Sequence, residues 1–550
     1  MPSYFRAVAV DYDNTLTTTP CPGDDVLAAI REVRASGRRV VLVTGRILAE
    51  LRVDFPFVDR HFDAIIAENG AVISRFGASR ALAPPVDAAL ERALAGRGVP
   101  VRRGEVILAT GARFDGAVIE EIARLGIEVQ LVFNRGALMV LPHDVSKGSG
   151  TVHALAALGL SPRNAVAIGD AENDHSLLDV CEIGVAVANA VDSLKAHADI
   201  VLDGAAGAGV ADFLRGSFQA GVPGVAPARQ RACLGRFADG TPVEVPGSRV
   251  NLGIFGGTGR GKSYLAGLVA EQLIGLGYTV CVLDLEGDHV GLSTLHGVVA
   301  FGGHDHPPGA DQLGVLFHEG MGSAVIDLSM HGLDAKRAYA VAALESCRRS
   351  REQTGTPQWI VIEEAQVPLA AHAGACAHPG HGSTGLCIVS YQPEMVCRHA
   401  GALIDIELHC AEDGTATIAR RGGQPRSFTP GTRVTPHERH WHKYTSGELP
   451  AYRRFLFRDV HGLTGASAGN LEEFRAEIAR VRSGVLLHHA AHGDFSRWLG
   501  DISQDQRFVG TIRQAELALR QGGGANVEPQ REALLAALES CYGRPLSIAS

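Results

Sequence analysis

The chain has 550 residues, which at roughly 100–200 residues per domain predicts about three or four domains and excludes a single one. Apolar residues make up 46% and charged residues 20%, with 66 Gly and 25 Pro, a composition that supports packed cores and excludes wholesale disorder. The net charge of −9 provides no global positive field for a phosphate backbone, so any nucleic-acid contact has to come from a local patch.

The 10 Cys form no C-x-x-C pair and predict a reducing interior rather than a disulfide scaffold. The start, MPSYFRAVAVDYD, reads as the approach to a strand rather than a charged leader followed by a long apolar stretch. No run of ~20 uncharged apolar residues occurs, so a soluble, cytoplasmic chain without a membrane span is expected.

In chain order, the apolar segments FRAVAV, RRVVLV, DAIIA, AVAIG, GVAVA and DIVL alternate with helix-length stretches. This predicts an α/β domain over residues 1–213 with a mostly parallel sheet. The rhythm breaks over residues 84–143, which read as an inserted α+β cap. The stretch Gly204–Arg231, rich in Gly, Ala and Pro, reads as linker-like with one short helix, VADFLRG, and the linker proper is expected at residues 214–231. A hairpin, LGRFADGTPVEV, turns at Asp239-Gly240 and opens a second α/β domain over residues 232–435. Its strands are VNLGIFG, YTVCVLDLE, SAVIDLS, QWIVIEEA and GLCIVSY. Residues 436–550 are expected to be a mainly helical module, and no internal repeat is found.

The first chemical site follows from strand ends. DYDNTLT places Asp11 and Asp13 past the carboxyl end of the first strand, where open α/β sheets bind ligands. VTGR brings Thr44 to the same edge, Lys147 opens a helix after the insertion, and AIGDAENDHS delivers Asp170, Asn173 and Asp174. A lone acidic turn is as readily a capping device. Several such turns converging on one edge supply what phosphoryl transfer needs: a carboxylate nucleophile (Asp11), a proton shuttle (Asp13), groups for the phosphoryl oxygens (Thr44, Lys147) and acids for Mg²⁺. Asp170 and Asp174 would complete the metal site with Asp11 and the backbone carbonyl of Asp13, while Asn173 orients the acidic loop.

In order and spacing these residues resemble the haloacid dehalogenase superfamily of phosphatases, subfamily IIB, whose cap is inserted between the Thr and Lys motifs. The resemblance implies Mg²⁺-dependent hydrolysis of a small phosphorylated metabolite, commonly a sugar phosphate, through an aspartyl-phosphate, with the cap choosing the substrate. Asn14 departs from the Gly often found in the family and is expected to be tolerated because Asn accepts positive φ. Glu68 and Asn69 read either as a substrate contact or as a plain turn. Arg102, Arg103 and Arg135 read either as anion contacts or as solvated surface.

The second site is GGTGRGKS, set between a strand and a helix as G-x-x-x-x-G-K-[ST] requires. Gly256, Gly257, Thr258, Gly259, Arg260 and Gly261 would form the phosphate loop of an ATP site, with Lys262 on the β/γ oxygens and Ser263 on Mg²⁺. QWIVIEEAQ supplies Glu363 as the metal-side acid and Glu364 as the catalytic glutamate. A Glu where Asp is usual predicts slow turnover. Gln392, in SYQ, would sense the γ-phosphate, and Asp284, Glu286 and Asp288 reach the same edge.

The hairpin, the LDLEGDH strand end, IEEAQ and SYQ together resemble the HerA/FtsK class of P-loop ATPases. That resemblance implies a hexameric homo-oligomer with an arginine reaching a neighbour's ATP, for which Arg420 and Arg421 are candidates; an ordinary basic hairpin is the alternative. The acidic balance and the lack of a basic, aromatic-studded stripe argue against a DNA pump.

His372, Cys376, His378, His381 and Cys387 cluster without a common tetrahedral zinc spacing. The tail histidines His437, His440, His442, His488, His489 and His492 read as satisfied or interface groups. Phe495 and Trp498 are expected to pack a helix start capped by Asp494 or Ser496. The leading expectation is a phosphatase controlled or organised by ATP at Lys262. The rivals are a DNA translocase or defence ATPase with an accessory phosphatase domain, and a protein that clamps ATP without turnover.

Overall fold

The computed structural model describes residues 4–134, 136–257, 259–303, 305–318, 320, 322–371, 384–436, 449, 454–502, 506–522 and 527–542. The first α/β layer is an eight-stranded sheet among these residues. In spatial order its strands are Ile200–Val201, Ile183–Ala186, Ala165–Gly169, Ala7–Asp11, Arg39–Val43, Ala64–Ala67, Val72–Arg75 and Ala78–Ala81, parallel up to Ala64–Ala67 and antiparallel beyond. AVAVD and AVAIG are buried along their whole length, as near-continuous apolar runs in a sheet covered on both faces must be. Asp11 is therefore the first polar group at the carboxyl end of the central strand.

Residues 214–222, expected to be a linker, are packed instead. The helix Ala206–Phe213 runs on as the π-helical turn Leu214–Phe218. Leu214, Phe218 and Val222 are buried in the first core, and Arg215 pairs with Asp25 and Glu32 on the helix Asp24–Ala35. The packing is carried by these three apolar side chains, set among small and polar residues whose composition reads as a linker.

The insertion is a small antiparallel sheet, Arg102–Arg103, Leu108–Gly111, Ala137–Leu141 and Gln130–Asn134, with helices Ala88–Gly96 and Asp115–Leu125. Alternation divides its two faces. Leu108, Leu138 and Val140 pack with Leu90, Leu94 and Val118 of the helices, whereas Ala109, Met139 and Leu141 join the core of the first domain.

The second layer is an eleven-stranded sheet among the described residues, with Leu252–Phe255, Leu386–Ser390, Trp359–Ile362, Val280–Asp284 and Ser323–Asp327 as its parallel centre. The expected hairpin is present as Arg231–Phe237 and Pro242–Pro246. Val298–Gly302 and Ile406–Cys410 were not expected, being only partly buried, so that their apolar signal is diluted; Ala416–Arg420 and Arg426–Pro430 pair antiparallel as the basic hairpin given as the alternative reading of Arg420 and Arg421.

The tail is helical, as expected, but it opens on an unexpected hairpin, Phe455–Asp459 with Gly462–Ala468. Phe455, Phe474, Phe495 and Trp498 form its aromatic centre. His489 is a satisfied core group: Nε2 accepts from the Arg458 N–H at 2.8 Å, Nδ1 lies 2.8 Å from Asp494, and burial lowers its pKa. The N–H groups of Phe495 and Ser496 go to Glu516, a cap from another helix rather than from Asp494 or Ser496. His437, His440 and His442, and residues 372–383 with His372, Cys376, His378 and His381, lie outside the described residues. Cys387 is one of seven free cysteines among the described residues, and Cys397 is disulfide-bonded. No described helix is long and apolar enough to cross a membrane.

The two α/β layers meet at the amino edges of their strands. Asn164, just before Ala165–Gly169, bonds the Tyr4 carbonyl and accepts from Gln358, whose own carbonyl accepts from the Thr279 N–H. Glu182 is buried; it accepts from Tyr278 at 2.8 Å and from Ser248, with Arg163 at 3.9 Å. Burial pushes its carboxyl up, partly offset by these two hydroxyls. Arg351 donates to the carbonyls of Pro357, Gln358, Thr384 and Gly385, and burial pushes its guanidinium down to about 10.

Candidate active site

Asp11, Lys147, Asp170 and Asp174 meet at the carboxyl edge of the first sheet. Lys147 is 2% exposed, and its Nζ donates to Asp11 Oδ1 at 2.7 Å and to Asp174 Oδ1 at 2.6 Å. Asp174 Oδ2 accepts from the N–H groups of Asp170 and Ala171, and Thr15 donates to Asp170 Oδ1. Lys147 reaches this point because Ser146 and Ser149 form a capping box that starts its helix there. A Cβ at Gly148 would stand 2.3 Å from the Ser176 carbonyl oxygen, and one at Gly150 2.7 Å from Gly70 Cα, so K-G-S-G lets the helix dock. Thr44 is fully buried at the neighbouring strand end.

Burial and the nearby Asp174 raise the Asp11 carboxyl well above its ordinary value, with Lys147 pulling back only in part. Burial by itself would lower the Lys147 ammonium, but Asp11 and Asp174 outweigh it and raise it. Carboxylate oxygens of Asp11, Asp170 and Asp174 lie within 4.8 Å of one another. Three carboxylates less one ammonium leave a surplus of negative charge in an all-oxygen set, which fits a hard divalent cation such as Mg²⁺.

Asp13 occupies the rim. Asn14 takes φ +58°, so the departure from Gly is accommodated as expected. The Asp13 side chain is 40% exposed and is gripped by Arg46, with Nη2 at 2.6 Å and Nε at 3.0 and 3.1 Å. Arg46 also pairs with Asp54 and lies over the Tyr12 ring. Sequence reasoning stopped at Thr44 and missed Arg46, although VTGR displayed it. Asn173 donates to Asn69 at 3.2 Å, tying the acidic loop to the neighbouring turn.

Glu68 is not a substrate contact. It is fully buried at φ +54°, and its carboxylate accepts from the N–H groups of Glu105, Val106 and Ile107, anchoring the insertion to the sheet. A Cβ at Gly104 would come within 2.4 Å of that carboxylate, which accounts for the glycine. Glu68→Ala would leave three N–H groups without their acceptor, at about 1–3 kcal/mol for each that stays dry. A clear fall in the thermal unfolding midpoint is expected; an unmoved midpoint would refute the anchoring role. Arg102 pairs with Glu50 and Arg103 with Glu91, so neither is a free anion contact, and Arg135 lies outside the described residues.

At the second sheet, Gly259 and Gly261 take φ of +77° and +91°, and the helix Lys262–Gly275 begins directly after them. Lys262 Nζ donates to the Gly257 carbonyl at 3.2 Å and lies 4.4 Å from the Tyr391 ring centroid. Arg260 pairs with Glu412, Ser263 follows Lys262 on the helix, and Thr258 lies outside the described residues. Glu363, expected to face a metal, is buried and bonded to His289 Nε2 at 2.7 Å, a partner the sequence did not disclose.

Asp284 accepts from the N–H groups of Glu286, Gly287, Asp288 and His289, so it shapes the LEGDH loop. Burial pushes Asp284 up to about 6 despite His289; His289 is raised to about 8, where the Glu363 bond and Asp284 outweigh burial. Glu364 takes φ +45° and is bonded by Gln366, while Gln392 is exposed just past the strand Leu386–Ser390. Arg420 is the exposed last residue of the strand Ala416–Arg420, and Arg421 donates to the Ala402 carbonyl.

Residues 116–214 match the model of haloacid dehalogenase-like hydrolases, and residues 233–330 match that of the central domain of helicase HerA. A phosphoglycolate phosphatase of Methanopyrus kandleri is 32% identical over 232 residues, covering 38% of this chain and 95% of that protein. Phosphoglycolate phosphatases of Methanothermobacter thermautotrophicus and Archaeoglobus fulgidus are 30% and 32% identical, over 38% of this chain and 97% and 96% of their own lengths.

Proposed function

Because this chain belongs, through the domain that carries Asp11, to the haloacid dehalogenase-like hydrolases, we propose that this domain hydrolyses a small phosphate monoester through an aspartyl-phosphate at Asp11. The observation that carries the reading is the buried Lys147 bridging Asp11 and Asp174, with Asp170 beside them. An Asp11 oxygen attacks phosphorus, the bond from phosphorus to the leaving oxygen breaks, and Asp13 protonates that oxygen. Water then attacks the aspartyl-phosphate, Asp13 takes its proton, and the phosphorus–Asp11 bond breaks to free phosphate. Lys147 and Thr44 hold the phosphoryl oxygens throughout. Mg²⁺, held by Asp11, Asp170, Asp174 and the backbone carbonyl of Asp13, supplies charge neutralisation when bound.

The relatives named above make phosphoglycolate the first substrate to try, with sugar phosphates as the alternative. Phosphate release from a panel of both classes, with Mg²⁺ and with a chelator, tests the reading. Release from no member of the panel, or release indifferent to chelation, would sink it.

The second domain binds ATP at Lys262 and Ser263 and biases the phosphatase through the buried junction of Glu182, Tyr278 and Ser248. The turn Gly256–Gly261 and the shared burial of that junction support this. ATP is expected to change the phosphatase rate in the wild type and leave it unchanged in Lys262→Ala; an equal response in both proteins would refute the link. The HerA match at residues 233–330 favours a second reading, a DNA-dependent motor carrying an accessory phosphatase. DNA-stimulated ATP hydrolysis lost in Lys262→Ala, together with a hexameric mass, would support that reading instead.

A further inference from the structure

The loop that follows the strand Ile183–Ala186 carries a polar side chain that the chemistry described above leaves without a role. Asn189 spans two backbone groups: its Nδ2 donates to the Asn14 carbonyl at 2.8 Å, and its Oδ1 accepts from the Ala206 N–H at 2.7 Å. A carbonyl only accepts and an N–H only donates, so a single orientation of the amide serves both. Both clasped residues stand in the left-handed region, Asn14 at φ +58° and Ala206 at φ +43°, where a non-glycine backbone persists only if its surroundings hold it. The loop is itself tied to the acidic loop, with the Val187 N–H on the Gly169 carbonyl at 3.2 Å and the Val191 N–H on the Asp170 carbonyl at 2.9 Å. The helix Ala206–Phe213 presses on the same turn, for a Cβ at Gly207 would stand 2.5 Å from the Leu16 carbonyl oxygen. Asn189 thus joins the turn that carries Asp13 to the loop that carries Asp170.

We propose that Asn189 is a positioning residue for the Asp13 carboxyl, acting through the backbone of Asn14. The inference rests on the Asp11 phosphatase reading, in which Asp13 protonates the leaving oxygen. Arg46 grips the Asp13 carboxylate from the rim, but a guanidinium on a long side chain follows that carboxylate wherever its backbone carries it. Asn14 comes directly after Asp13; the Thr17 carbonyl accepts its N–H at 2.7 Å, and Asn189 holds its carbonyl. These two bonds fix the turn, and the turn aims the carboxyl. Asp11 belongs to the strand and to the Lys147 bond, so it keeps its place when Asn189 is lost. Proton delivery to the leaving oxygen is therefore the step that suffers, and attack on phosphorus is spared.

The test uses the full chain at saturating Mg²⁺ and compares kcat/KM for two kinds of ester. One is phosphoglycolate, or a sugar phosphate if the wild type prefers it, whose alkoxide has to be protonated as it leaves. The other is p-nitrophenyl phosphate, whose phenolate leaves without a proton. Asn189→Ala should lower kcat/KM by roughly 10–100-fold for the alkyl ester, part of what a well-placed general acid supplies, and by less than about threefold for the nitrophenyl ester. If Asn189→Ala fails to fold, Asn189→Asp takes its place: it still accepts from the Ala206 N–H but cannot donate to the Asn14 carbonyl, and the same split between the esters is expected. Equal losses on the two esters, or no loss on either, overturn the assignment of Asn189. Absence of Asp11-dependent release from both esters in the wild type overturns the phosphatase reading beneath it.

Discussion

Asp11→Asn is expected to reduce phosphate release by at least about 10⁴-fold while leaving the fold intact, the scale seen when a nucleophile is removed from an otherwise complete site. Asn is nearly isosteric and keeps an oxygen to accept the Lys147 hydrogen bond now made to Oδ1 at 2.7 Å. It also relieves the repulsion from Asp174 that, after burial, is the main cause of the raised Asp11 carboxyl. Stability should therefore hold or rise slightly, which separates a chemical defect from a folding defect. Single-turnover phosphate release together with a thermal midpoint decides the matter. Activity within tenfold of wild type would move the nucleophile elsewhere.

Lys147→Met should be damaging in both respects. The ammonium is the buried cation between Asp11 and Asp174, and its removal leaves two carboxylates facing each other in a dry site. Breaking such a pair costs about 3–5 kcal/mol, and activity should fall by roughly 10²–10³-fold as a preorganised phosphoryl contact is lost. Added Mg²⁺ should raise the variant's thermal midpoint more than the wild type's, because a divalent cation held by Asp11, Asp170 and Asp174 replaces the missing charge and stabilises the folded state. Equal responses to Mg²⁺ would show that these carboxylates do not form the expected cation site.

Both candidate sites were legible because their residues sit at strand ends. An apolar run followed at once by DYD, GDAEND or GGTGRGKS announces the chemistry and its place in a parallel sheet together. Partners distant in sequence were not legible. Nothing in VTGR says that Arg46 grips Asp13, nothing in AENG says that Glu68 serves the backbone of residues 105–107, and nothing in GDHVG says that His289 reaches Glu363. These pairings are fixed by how loops fold back across the sheet. The strands Val298–Gly302 and Ile406–Cys410 escaped notice because partial burial dilutes the apolar pattern, and residues 214–222 because Leu214, Phe218 and Val222, which carry the packing, are spaced among small and polar residues.

The amino-edge contact between the two sheets means that their reactive ends look outward in opposite directions. Asp11 and Lys262 each lie at the carboxyl end of their own sheet, the end away from that contact. Any dialogue between them has to be carried by the fold itself. Severing the chain after residue 222 would strip Glu182 of Ser248 and Tyr278, and the excised halves would be poor stand-ins for the whole.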